Sequence, residues 1–149
     1  MYTIILAIHN IVRWVVVIFM ILALVRAYRG WLGQREWSDA DRRAGVFYTS
    51  ALDIQLLLGL ILYLFLSPIT KAAFSNIGAV MSDAGLRFFT LEHFFYMFLA
   101  VVFGHLGSAF AKKAADPATK HQRAAIWNTL SVLAVLLGMP WMRPLFPGL

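Results

Sequence analysis

The chain has 149 residues, of which 61% are hydrophobic and 13% charged, with a net charge of +6 and no cysteine. A soluble domain is nearer ~45–50% apolar and about 25% charged, so the excess points to lipid rather than to a larger water-excluded core. The absent thiol excludes disulfides, thiolate catalysis, Fe–S ligation and Cys-x-x-Cys-His haem attachment, and basic residues placed beside apolar spans argue for lipid, not nucleic acid, as the partner of the positive charge.

In chain order, four apolar segments approach the roughly 20 residues needed to cross a bilayer. The first covers residues 2–27. It follows Met1 with no basic lead and no small-residue cleavage pattern, so it is expected to be retained as a helix. Gly30 and Gly33 are expected to interrupt that helix. Ser38, Asp39 and Asp41 then offer an N-cap and an acidic first turn to the second helix, whose apolar span is 46–66. Ser67-Pro68 ends it. The connection 67–85 is long for a bundle and includes a mildly amphipathic stretch, 69–81, which would lie on the membrane surface, cover a site or act as a plain connector. The third span is 86–111. Asp116 and Pro117 place a cap and a first-turn proline before the fourth, 124–139, the shortest of the set. Pro140-Trp141 closes it at an interface, where tryptophan is favoured. The expected fold is a single domain over 1–149, an all-α integral membrane four-helix bundle with up-down-up-down topology.

Charge sets the expected orientation. Arg26, Arg29, Arg35, Arg42 and Arg43 lie in the first connection, and Lys112, Lys113, Lys120 and Arg123 in the third. The second holds only Lys71 and Arg87, and the C-terminus Arg143. The positive-inside rule then puts the first and third connections in the cytoplasm and both termini outside, as in a multi-pass protein of the bacterial inner membrane.

Ionisable residues within such spans are functional-site candidates by default. On this orientation His9 and His93 each lie roughly 10 Å below the outer end of their spans, at 1.5 Å per residue. Two histidines at matched depth on different helices can grip one metal-centred cofactor, with haem iron a candidate; each could instead hydrogen-bond a neighbouring helix. Glu92 belongs to the same outer layer, and Arg13 lies one turn deeper on nearly the His9 face. An arginine there needs an anion, either Glu92, Asp53 or a cofactor carboxylate such as a haem propionate. Glu92 could transfer protons, or pair with Arg13 or Arg87. Asp53 and His105 form an inner layer, with Gln55 nearby, and are expected to make a buried polar pair. His93 and His105 are twelve residues apart on one helix, hence about 120° apart in azimuth, and do not share a narrow face. The aromatics Phe88, Phe89, Phe94, Phe95, Tyr96, Phe98 and Phe103 would line a porphyrin or quinone pocket, or pack against lipid and core. The fourth helix, with Asn128, Thr129 and Ser131, reads as scaffold, and His121, beside Lys120 and Arg123, as a solvated interfacial residue.

These motifs resemble the small four-helix bacterial membrane proteins described as cytochrome-b-like. The matching pieces are His9-Asn10-Ile11-Val12-Arg13-Trp14, Ile54-Gln55-Leu56-Leu57-Leu58-Gly59-Leu60, Arg87-Phe88-Phe89-Thr90-Leu91-Glu92-His93, His105-Leu106-Gly107, Lys120-His121 and Pro140-Trp141. They run through nearly the whole chain. The resemblance implies a haem b, one per chain, held by His9 and His93. It departs at Asp53, where the family pattern has histidine before Ile-Gln-Leu-Leu-Leu-Gly, so only the outer layer carries over in full.

Four readings follow. The first is a haem-b cytochrome-like subunit for electron transfer, with quinone or other membrane-protein subunits as partners. The second is a cofactor-free accessory subunit of a respiratory or photosynthetic complex. Ligation of a chlorophyll-type magnesium and proton or ion movement through Asp53, His105 and Glu92 are the others. No hydrolase triad, phosphate-binding glycine loop or autonomous catalytic centre is evident. Reporter fusions test the orientation directly. A fusion near Gln34 should score cytoplasmic and one near Ala79 extracytoplasmic; the reverse would invert every depth given above.

Overall fold

The computed structural model describes residues 1–141 and is helical, with no strand among them. Helix α1 (Tyr2–Leu32) leads to α2 (Asp39–Ile61), which runs on through a π-helical turn, Leu62–Leu66. Three short helices follow: α3 (Pro68–Ser75), α4 (Ile77–Ser82) and α5 (Ala84–Arg87). A second π-helical turn, Phe88–Glu92, continues into α6 (His93–Lys113), and α7 (Pro117–Gly138) completes the set. Arg143 lies outside the described residues.

Three stretches are long and apolar enough to cross a membrane: Tyr2–Leu32, Asp39–Leu66 and Ala84–Lys113. Helix α7 is not among them. It has 22 residues, but its first turns hold Lys120, His121 and Arg123. The surface is apolar in the manner of a protein in lipid: Ile4, Ile11, Ile18, Leu57, Phe95, Phe98, Leu133 and Leu137 all point outward.

Capping chemistry sets the helix starts. Ser38 and Asp41 form a reciprocal capping box: Ser38 Oγ accepts from the Asp41 amide and the Asp41 carboxylate from the Ser38 amide. Asp41 also accepts from Arg26 Nε at 2.9 Å, which ties α1 to the start of α2. Asp116 caps α7 through the Thr119 amide at 2.8 Å, with Pro117 in the first turn.

The long helices pack in a cycle: α1 on α2, α2 on α6, α6 on α7 and α7 on α1. Small side chains allow the close approach, as expected where lipid removes most of the hydrophobic drive between helices. Ala23, Ala44, Ala51, Ala100 and Ala134 are buried with Val16, Met20, Leu52 and Val135. One polar chain crosses this core. Ser131 Oγ donates to the Ala100 carbonyl at 2.6 Å, so the Tyr48 hydroxyl, 2.7 Å from it, donates to Ser131. That joins α2, α7 and α6 inside the core.

Two expectations at the charged end are corrected. Gly30 does not interrupt α1, which runs to Leu32 and ends at Gly33. His121 is not solvated but 1% exposed. It packs against Trp37 at 4.8 Å, and its Nε2 donates to the Glu36 carbonyl at 3.4 Å. These facts share a cause: the imidazole lies over the bare backbone of Gly30, where a Cβ would collide with it. The sequence signal was the glycine itself, a residue that lets a neighbour approach the backbone closely in a membrane. Gly30→Ala should therefore destabilise the fold by about 1–3 kcal/mol through overpacking, measured by thermal unfolding in detergent. His121→Ala should relieve most of that cost in the double variant; additive losses would contradict the contact.

Candidate functional site

At the opposite end from the basic connections, α1, α2 with its π turn, α6 and the end of α7 line a partly open cavity of about 400 Å³, within the usual range for cofactor and small-molecule pockets. His9, Asn10, Arg13, Gln55, Gly59, Tyr63, Phe89, His93 and Met139 contribute to its wall, and Ile69 and Thr70 bring the 67–85 connection over it. That connection covers a site, one of the roles open to it in the sequence. Thr70 is fixed there by its hydroxyl, which donates to the Tyr63 carbonyl at 2.7 Å.

The two histidines face each other. Their ring centroids are 6.4 Å apart, with planes at 70°. His93 Nδ1 lies 2.6 Å from the Gly138 carbonyl. A carbonyl only accepts, so Nδ1 carries the hydrogen and Nε2 of the neutral ring keeps its lone pair. Gly138 makes this possible by its size: a Cβ there would strike Met97 and Tyr96, so only glycine brings the end of α7 this close to His93. On the other side, Gln55 Nε2 donates to the His9 carbonyl at 3.0 Å and lies 3.3 Å from His9 Nε2. The bond to the carbonyl fixes which end of the amide faces His9. Gln55 Oε1 and His9 Nδ1 are buried and make no hydrogen bond. Gly59 lies against His9, where a Cβ would meet the ring at 3.4 Å.

Arg13 is 9% exposed and reaches the cavity wall one turn inward from His9. Its guanidinium lies 5.7 Å from the Trp14 ring centroid. The structure thus gathers His9, His93 and Arg13 but leaves Glu92 outside the cavity lining. Glu92 accepts from Arg87 Nε at 2.8 Å, and both side chains are 40% exposed. The reason is the π-helical turn between them. In an α-helix residues five apart diverge; with i→i+5 pairing they stack. Tyr63 in turn donates to the Thr90 carbonyl of that turn at 2.7 Å.

The inner layer differs from expectation in two ways. His105 Nε2 donates to Asp53 Oδ1 at 2.8 Å, so the pair forms, but each side chain is 51% exposed and the pair is not buried. Gln55 is not part of that layer. Two residues beyond Asp53, it turns to the other side of α2 and meets His9. The aromatics divide likewise: Phe89 and Phe94 line the cavity, while Phe95 and Phe98 face outward.

A haem between the histidines is compatible with this donor set. The two imidazoles, on different helices with ring centroids 6.4 Å apart, are the residues that would hold its iron. The Gly138 carbonyl that accepts from His93 Nδ1 is the kind of partner a ligating histidine uses, whereas His9 Nδ1 has no such partner. Among the described residues no cluster of three or more His, Cys, Asp or Glu offers a metal site. No known family, characterised protein or solved structure matches the chain, so the resemblance rests on its motifs alone.

The Arg87–Glu92 pair is half-exposed and lies outside the cavity. Glu92→Gln should change stability by no more than about 1 kcal/mol, whereas His93→Ala, which removes the bond to Gly138, should cost more. Thermal unfolding of the two variants checks the order; a larger loss for Glu92→Gln would return Glu92 to the site.

Proposed function

We propose that the chain is a haem-b-binding, cytochrome-like subunit that transfers electrons within a larger membrane complex. In this reading four helices cross the bacterial inner membrane up-down-up-down, with both termini extracytoplasmic. The observation that carries it is the His9–His93 pair, 6.4 Å apart across a cavity and on different helices. His9 and His93 would hold the iron, and haem supplies a one-electron couple when bound.

The chain's own residues do the rest. The Gly138 carbonyl fixes the His93 tautomer and ring orientation. Gln55 holds the His9 side of the site through the His9 carbonyl, and its contact with His9 Nε2 would give way if that nitrogen were to hold the iron. Arg13 offers charge to a carboxylate of the cofactor, and Phe89, Phe94 and Met97 keep the pocket apolar. Quinone or a neighbouring subunit would be the redox partner. One observation favours a second reading, a cofactor-free accessory subunit: Gln55 and Gly138 already engage both imidazoles.

A pyridine haemochrome assay on protein purified from haem-replete cells separates the two. Wild type should carry one haem b per chain. His9→Ala and His93→Ala should each lose most of it, and His105→Ala should retain it. Haem-free wild type would leave the accessory reading in place.

A further inference from the structure

The Asp53–His105 pair has no role in the cavity, and its position is unusual. Asp53 is ten residues beyond Arg43, about 15 Å along the helix, and His105 is seven before Lys112, about 10 Å. Both therefore lie well inside apolar spans. Yet each side chain is 51% exposed on the outer surface where α2 meets α6. Ionisable residues at such depth normally face a bundle interior or a water-filled cavity, and pair with one another. Lipid chains offer neither donor nor acceptor, and the basic helix ends nearest the headgroups are about 10–15 Å away.

The bond inside the pair uses His105 Nε2 and Asp53 Oδ1. His105 Nδ1 and Asp53 Oδ2 remain, and make no other hydrogen bond with the described residues. In the ion-paired form that leaves one donor and one acceptor. They sit side by side on one face at matched depth, which is the pattern of a self-complementary patch. A two-fold axis along the membrane normal would keep both copies in the same orientation and lay Asp53 of one against His105 of the other. Two intermolecular bonds would close a four-membered ring with every ionisable atom partnered. Small residues border the patch on both helices: Ser50 on α2, one turn before Asp53, and Ala109 on α6, one turn after His105, are both exposed. Such side chains let helices of two copies approach closely.

We propose that the chain forms a symmetric homodimer in the membrane through this α2–α6 face, locked by reciprocal Asp53–His105 bonds between copies. The dimer does not depend on haem, because the face lies apart from the cavity.

The absence of cysteine makes the test clean. Ala109→Cys, oxidised with copper phenanthroline in native membranes, should give a disulfide-linked dimer. Leu133→Cys, half-exposed on α7, should not. Adding Asp53→Leu to Ala109→Cys should reduce the dimer band about tenfold, the effect of losing two interhelical bonds. Exchanging the groups, Asp53→His with His105→Asp, should restore it, which separates loss of the contact from loss of the fold. The proposal is overturned if Ala109→Cys gives no dimer, if it crosslinks only to a different polypeptide, if Leu133→Cys crosslinks equally, or if Asp53→Leu leaves the band unchanged.

Discussion

A polar group on these helices has few places to turn. The outward faces are isoleucine, leucine and phenylalanine, so a hydrogen bond at depth must be made to another helix or to a bare stretch of backbone. That constraint organises the structure. Tyr48 reaches Ser131, and Ser131 the Ala100 carbonyl. Gln55 reaches His9, His93 reaches Gly138, and His105 reaches Asp53. Each bond joins two helices, so the polar groups that lipid would penalise become the devices that register one helix against the next. Alanine and glycine do the complementary work by letting backbones come close enough to serve as acceptors.

The two π-helical turns matter for the same reason. Each breaks the regular ladder near the cavity and leaves backbone groups to be satisfied by side chains. The carbonyl of Thr90, in one turn, takes a hydrogen from Tyr63, and the carbonyl of Tyr63, in the other, takes one from Thr70. The connection over the cavity is thereby fastened to α2, and α2 to the start of α6. The turn at Phe88–Glu92 also sets the azimuth at which α6 begins, so that His93 enters the cavity while Glu92 turns to Arg87.

Much of this was legible in the sequence, and the failures have physical causes. Apolar length gave the all-helical class, and Ser38, Asp41, Asp116 and Pro117 gave the helix starts, because these signals are local. The 100° step per residue separated His93 from His105, since α6 is regular between them. Pairing of Glu92 with Arg87 was one of the alternatives open in the sequence, but nothing there chose it over the cavity, because a π-helical turn leaves no mark in residue type. Gln55 was assigned by depth to the wrong neighbour; azimuth about α2, not depth, decides that it faces His9. His121 looked solvated beside two basic residues, and only packing against Gly30 shows otherwise. The Asp53–His105 contact was foreseen from depth, but its exposure depends on which side of the α2–α6 contact the pair occupies.

The proposal that the chain is a cytochrome-like subunit turns on one spatial relation, two imidazoles from different helices sharing one ion. Low-temperature EPR of the oxidised wild-type protein addresses that relation most directly. A six-coordinate, low-spin ferric haem signal that His9→Ala and His93→Ala each convert or abolish is the predicted result. A five-coordinate high-spin signal in wild type, or a low-spin signal untouched by either substitution, would contradict it.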